Sequence, residues 1–378
     1  MIFYTLLFVF LFSSPLLINV FLCRRFPKKK FFRFLESATP FLILFIVCVI
    51  KSDSVGNDTA AYSSVYVGET SNKNFEFGFN LLMSAFQNMK LPFKVFQIFC
   101  YVVIIIPILL VTLFWSPYKF MTPFLFASWI WLVLAFSGLR QSMAVSLCLL
   151  SMVLVRQNHI WKKIVAFALF LLACSFHIAS LVFVLALLIS FFREQKYLFL
   201  PIVALFFILF FFSPYLVQFI YFNFYQGNYV PGEQPQVWEL SILYLTICLF
   251  FICFSIFEKP RSFVASLTSR LDPRLENLKS KLFIFDSNEI SENDAYYYLN
   301  VFLVGVAFIT VARTGFTLDR ISYSMLIAGI LAIPLFISRQ KSITFRIVLI
   351  AFFSIMFFAY FVLECYIPNY LHCHYSII

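Results

Sequence analysis

The chain has 378 residues, of which 62% are hydrophobic, 21% aromatic and 12% charged, with a formal net charge of +11 and a mean hydropathy of +0.94. Such a composition excludes an ordinary water-soluble domain and describes a chain whose solvent is mostly lipid. The basic excess does not point to nucleic acid, because 21 of the 28 Lys and Arg residues fall within 24–33, 118–120, 156–163, 193–196, 258–281 and 339–346, and placing all six segments on the cytoplasmic side satisfies the positive-inside rule.

The first apolar run, Met1 to Leu22, lacks a positively charged leader, and its basic cluster, Arg24, Arg25 and Lys28 to Lys30, follows it. It is therefore predicted to stay as a spanning helix with the N-terminus outside. Runs such as Tyr101 to Trp115 and Leu198 to Phe212 are apolar on every side, which fits helices of about 20 residues and not barrel strands of about 10 alternating residues. Helices are predicted at about 35–51, 93–114, 121–137, 140–155, 163–176, 178–191, 197–220, 239–257, 297–312, 320–337 and 344–366. The fold class is all-α, a polytopic membrane protein of about 12 transmembrane or half-membrane helices in a single domain over 1–378. An external loop covers about 52–92 and a cytoplasmic loop about 258–296. The pieces on either side of His177 are short; joining them would carry Arg193 and Lys196 outside, so two half-helices meeting at His177 near the outer face are expected, as where irregular backbone lines a cavity.

Within the external loop, Val55-Gly56-Asn57-Asp58-Thr59 reads as a turn, and the stretch after Glu76-Phe77-Gly78-Phe79-Asn80 as an amphipathic helix. The cytoplasmic loop contains no Gly-rich phosphate loop, so ATP has no support. The nine cysteines form no CxxC pair and read as small hydrophobes. His372-Cys373-His374 has no further ligand nearby, and no metal is predicted.

Charges at the margins of apolar runs carry the functional signal. Arg140 opens a helix after the turn at Gly138, where a guanidinium fork and unpaired helix N–H groups both favour an anion. Arg313 and Arg320 stand on one short external turn with Asp319, which caps the following helix or serves chemistry; Tyr323 lies one turn further on. Positive-inside bias disfavours arginine on this side, so Arg140, Arg313 and Arg320 together suit a multiply charged anion. His177 is a titratable ring in an apolar stretch, fit to take a proton or orient a hydroxyl. Asp58, with Tyr62 a turn later, is a turn or cap residue, or a carboxylate that binds sugar hydroxyls or acts as a base.

The order Gly56-Asn57-Asp58-Thr59 with Tyr62, Glu76-Phe77-Gly78-Phe79 with Leu81 and Leu82, Ser137-Gly138-Leu139-Arg140-Gln141 with Ala144, Phe176-His177 with Ser180, and Asp319-Arg320 with Tyr323 resembles the EpsG-like family. That family groups exopolysaccharide proteins with Wzy-type O-antigen and capsule polymerases. The likeness runs from about residue 50 to 335. An arginine that the family often carries before the first motif is absent here, where the chain reads Asp53-Ser54-Val55.

The resemblance implies a fold like that of GT-C-type membrane glycosyltransferases. It implies polymerisation, at the periplasmic face of the bacterial inner membrane, of oligosaccharide repeat units carried on undecaprenyl diphosphate, without cofactor or metal. Arg140, Arg313 and Arg320 would hold the diphosphate. His177, Asp58 and Asp319 would be the catalytic candidates, and Gln141, Tyr62 and Tyr323 would contact substrate. A flippase and a chain-length regulator are the implied protein partners. External aromatic residues such as Tyr225, Tyr229 and Trp238 are candidates for sugar stacking or for an ordinary aromatic belt. The alternatives are a flippase of the lipid-linked unit, expected to carry midplane charges and two related halves, and an O-antigen ligase, which differs mainly in acceptor.

Overall fold

A computed structural model describes residues 2–23, 25–26, 30–52, 55, 58–69, 75–129, 138–224, 247, 290–312, 319–340 and 342–366. These residues are mostly helical with no strand among them, and the helices in chain order are α1 (Ile2–Ile18, continued by a π turn Asn19–Cys23), α2 (Lys30–Ile50), α3 (Thr59–Val67), α4 (Phe77–Asn88), α5 (Phe93–Trp115), α6 (Met121–Leu125), α7 (Leu139–Val155) and α8 (Ile160–Phe176). A 3₁₀ turn (Ile178–Phe183) leads into α9 (Val184–Ser190), and a second (Gln195–Leu198) into α10 (Phe199–Phe224); then come α11 (Glu292–Ala312), α12 (Asp319–Leu326), α13 (Gly329–Ser338) and α14 (Ile343–Tyr366).

Phe93–Trp115, Arg320–Ser338 and Ile343–Val362 are long and apolar enough to cross a membrane, and Leu139–Val155, Ile178–Ser190 and others are shorter apolar helices. Of the span Arg320–Ser338, 89% lies buried within the protein, against 33% of Ile343–Val362. The former is therefore enclosed by other helices while the latter offers most of its surface outward, as an apolar helix can where the solvent is lipid. The predicted helix 239–257, Ile247 excepted, and the aromatic residues Tyr225, Tyr229 and Trp238 lie outside the described residues, as does the predicted cytoplasmic loop up to residue 289.

The predicted helix 320–337 is present as the span Arg320–Ser338, interrupted by a turn at Ile327 and Ala328. Its backbone tightens between α12 and α13, where Ala328 N–H donates to Met325 O (3.0 Å) and Ile330 N–H to Ile327 O (3.2 Å), three-residue steps of 3₁₀ type. The close approach that accompanies this turn depends on Gly305 of α11, since a Cβ there would stand 2.6 Å from the backbone nitrogen of Leu326. Pro334 has no N–H to give the carbonyl of Ile330, and the hydroxyl of Thr122 donates to that oxygen instead (3.2 Å). The junction is thus held on both sides, the end of α12 by α11 and the start of α13 by α6.

The helix α7 packs along α8 and α5, and α12 lies against α7, α11 and the first 3₁₀ turn. One end of α7 is fastened by Arg156, whose Nε pairs with Asp294 Oδ1 (2.6 Å), whose Nη1 donates to Ser190 O (3.0 Å) and whose guanidinium lies 5.2 Å from the centre of the Tyr297 ring. The other end, about 25 Å away at 1.5 Å per residue, carries Arg140. The segment 52–92, predicted to be external, contains two helices, of which only the second is expected from the sequence. They are stapled by Gln87 Nε2 donating to Tyr66 O (2.7 Å) and Tyr66 Oη to Leu91 O (2.7 Å), over the rings of Phe79, Phe93 and Phe96.

Candidate functional site

The loop entering α3 is held by Lys51, fully buried, whose Nζ donates to Val55 O (2.7 Å) and Thr59 Oγ1 (2.8 Å). A cation thus organises the first motif from within, in a stretch where the expected arginine is missing. Asp58 stands at the N-cap position of α3 without a side-chain cap bond, so the simple capping role does not apply. One turn later Tyr62 is buried, and its phenol is pushed up by burial and by the charge of Asp58, against the lowering influence of Arg140 and Arg320. It stays a neutral hydroxyl with three charged groups around it.

Phe75 and Phe79 flank Glu76, the N-cap residue of α4. The Asn80 amide donates to Phe75 O (2.7 Å), which closes the first turn. This helix can sit on α8 only because residue 78 is glycine: a Cβ there would lie 2.8 Å from Ser175 Cβ and 2.9 Å from the Ser175 carbonyl oxygen. The contact at Ser175 brings the start of α4 to the end of α8, where His177 follows.

His177 joins α8 to the 3₁₀ turn in extended backbone (φ −153°, ψ 113°), the break expected from the sequence. Its N–H donates to Ala173 O (2.9 Å) and its carbonyl accepts from Ser180 N–H (3.0 Å). The peptide groups on both sides of the ring are fixed.

Glu76 ties these parts together. Its Oε1 is 2.9 Å from His177 Nδ1 and accepts from Ile178 N–H (3.3 Å), while its Oε2 pairs with Arg140 Nη1. Arg140 Nε reaches Tyr62 Oη (3.4 Å), and its guanidinium lies over the rings of Phe75 (4.6 Å), Tyr62 (5.8 Å) and Phe79 (6.0 Å). The side chains of Glu76, Arg140 and His177 are only 17%, 18% and 10% exposed, so these contacts are little screened by water. Burial alone would raise the Glu76 carboxyl, but the hydrogen bond from His177, the charge of Arg140 and its own backbone bond outweigh it and hold the group down to about 2. Glu76 is a fixed anion.

Gln141, expected at the substrate, is buried, and its amide nitrogen donates to the backbone oxygen of Arg320 (3.0 Å). It fastens α7 to α12. Arg320 itself is exposed, whereas Tyr323, one turn on, is buried; the two therefore meet different surroundings. Asp319 begins α12, but its side chain and the whole of Arg313 lie outside the described residues.

Segments from α3, α4, α7, the α8 joint and α12 thus meet at one end of the bundle. Sequence reasoning placed Arg140, Tyr62, Asp58, His177 and Arg320 there but gave Glu76 no role. Its partners are 64 and 101 positions away along the chain, a distance that no local spacing rule spans. The available signal was a single carboxylate at the head of an otherwise apolar and aromatic motif.

No curated protein and no solved structure matches the chain. The sequence model of the EpsG family matches residues 37–375, a stretch that contains every residue of this site, and the chain belongs to the EpsG family, a Wzy-like polymerase-related family.

Proposed function

We propose that this protein is a polysaccharide polymerase that joins undecaprenyl-diphosphate-linked oligosaccharide repeat units at the periplasmic face of the inner membrane. The observation that carries this reading is the state of His177. Its Nδ1 is engaged by Glu76, while its buried Nε2 has no hydrogen-bond partner among the described residues. An imidazole nitrogen without a protein partner, close to the helix end that carries Arg140, suits proton transfer from a sugar hydroxyl that comes within hydrogen-bond reach of it.

In the proposed step the hydroxyl oxygen of the acceptor sugar bonds to the anomeric carbon of the donor chain. The bond from that carbon to the diphosphate breaks, its electron pair stays on the leaving undecaprenyl diphosphate, and the hydroxyl proton passes to Nε2 of His177. A diphosphate is a good leaving group and needs charge neutralisation more than an acid. Arg140 has spent much of its fork on Glu76 and Tyr62, so the exposed Arg320 is the principal diphosphate contact, with Arg140 contributing its remaining N–H groups and Arg313, close to Arg320 in the sequence, assigned to the same anion. Asp58, within electrostatic reach of Tyr62, is assigned to sugar hydroxyls. A flippase supplying donors and a chain-length regulator are the protein partners of this reading.

The test is deletion of the gene followed by analysis of surface polysaccharide. Polymerase function predicts acceptors bearing a single repeat unit. Loss of all surface sugar would instead mean a flippase or a ligase, both of which bind the same lipid diphosphate.

A further inference from the structure

We propose that Glu76 is a positioning residue of this reaction: one carboxylate oxygen holds the His177 ring with its hydrogen on Nδ1 and its lone pair on Nε2, while the other is anchored by Arg140. The proposal rests on the preceding reading of His177 as the proton acceptor and adds what makes that ring a base of defined direction.

An ionised carboxylate only accepts hydrogen bonds. With Glu76 Oε1 2.9 Å from Nδ1, the neutral imidazole must therefore carry its hydrogen on Nδ1, and the unpartnered Nε2 is the nitrogen left to take a proton. The same contact stabilises the imidazolium that forms, the logic by which a third group orients a base. Glu76 does not take the proton itself, because Arg140 on Oε2 and the Ile178 N–H on Oε1 keep it ionised.

The charged and titratable groups on the elements packed near the ring are Glu76 at the head of α4, bonded to it, and Arg140 of α7, paired with that Glu76. Tyr62 of α3 lies beside Arg140 in the field of Asp58 and Arg320, and Cys148 of α7 is within electrostatic reach of Cys174 of α8. Glu76 is the one described carboxylate bonded to the ring.

The experiment uses the full-length protein reconstituted in liposomes with a lipid-linked repeat unit. Glu76→Gln keeps the size but lets the ring choose either tautomer. Expected are a fall in kcat of about 10- to 100-fold and a donor KM changed less than about twofold. In a His177→Gln background the same substitution should cost less than about twofold. An equal cost in both backgrounds, or a raised KM with kcat intact, overturns the proposal and assigns Glu76 to holding Arg140 alone. If Glu76→Gln does not insert, Glu76→Asp gives the same comparison, with its loss likewise vanishing in the His177→Gln background. Full activity of His177→Gln by itself would sink the reading of His177. A damaged His177→Gln beside an undamaged Glu76→Gln would sink this proposal only.

Discussion

Adding one methyl group at Gly78 tests whether the site depends on how closely α4 approaches α8. In Gly78→Ala the new carbon would be placed 2.8 Å from Ser175 Cβ and 2.9 Å from the Ser175 carbonyl oxygen, whereas carbon contacts relax at roughly 3.5 to 4.0 Å. The helices must part locally by on the order of 0.7 to 1.2 Å to accommodate it. Glu76 is two residues away, so its 2.9 Å contact with His177 would open to roughly 3.5 to 4 Å, beyond a useful hydrogen bond. Overpacking of this kind costs about 1 to 3 kcal/mol of stability. A displacement near 1 Å in a catalytic constellation costs about a hundredfold in rate, equivalent to about 2.7 kcal/mol of barrier. The measurement is the initial polymerisation rate per inserted molecule in liposomes, alongside the thermal midpoint in detergent. Ser175→Gly removes Ser175 Oγ and Cβ but leaves the backbone oxygen, so in combination it should restore part of the lost rate. A Gly78→Ala protein that polymerises within twofold of the parent would refute the claim that this helix contact sets the site.

Three further outcomes are expected. Arg140→Lys keeps a charge but can reach Glu76 or Tyr62, not both, so polymerisation should fall on the order of tenfold or more, while the exposed control Glu69→Gln leaves it unchanged; equal activities would remove Arg140 from the site. In a cysteine-free background, Cys introduced at Glu69 should react with an impermeant thiol reagent in spheroplasts and Cys at Asn158 should not, and labelling at 158 would invert the proposed orientation. Because the Glu76 carboxyl is depressed from 4.5 to about 2, its stabilising contribution is fully present above pH 4.5 and lost as the pH falls toward 2. The gap in thermal midpoint between the parent protein and Glu76→Gln should hold from pH 8 to 5 and close only below; a gap that closes between pH 7 and 5.5 would contradict the Glu76 assignment.

Much of the helix pattern was legible because lipid-facing and buried positions are both apolar, which leaves long uninterrupted runs such as Phe93–Trp115. Short polar interruptions were harder to read. The start of α8 was expected at 163, but Ile160 and Trp161 extend it backward past Lys162 and Lys163, whose long stems tolerate a helix near an interface. The break at Ile327 and Ala328 left no polar mark. It arises from close packing at Gly305, which is a property of two helices and not of one.

The same distinction governs the site. Arg140, His177 and Arg320 stood out one by one because each is expensive at the edge of an apolar run, and the cost of an isolated charge is visible in a single segment. What each charge is paired with is not. Arg140 was read as an open fork for an anion, yet the folded chain already supplies one in Glu76, and the exposed guanidinium is that of Arg320. Arg140 is largely enclosed, and an enclosed arginine left without a counter-ion is costly. The carboxylate that answers Arg140 also engages Nδ1 of His177. In the proposed reaction, one glutamate at the head of an aromatic helix would thereby meet two requirements, charge balance for the arginine and direction for the imidazole. This is why the motif carrying it must arrive on a surface as close as the one Gly78 permits.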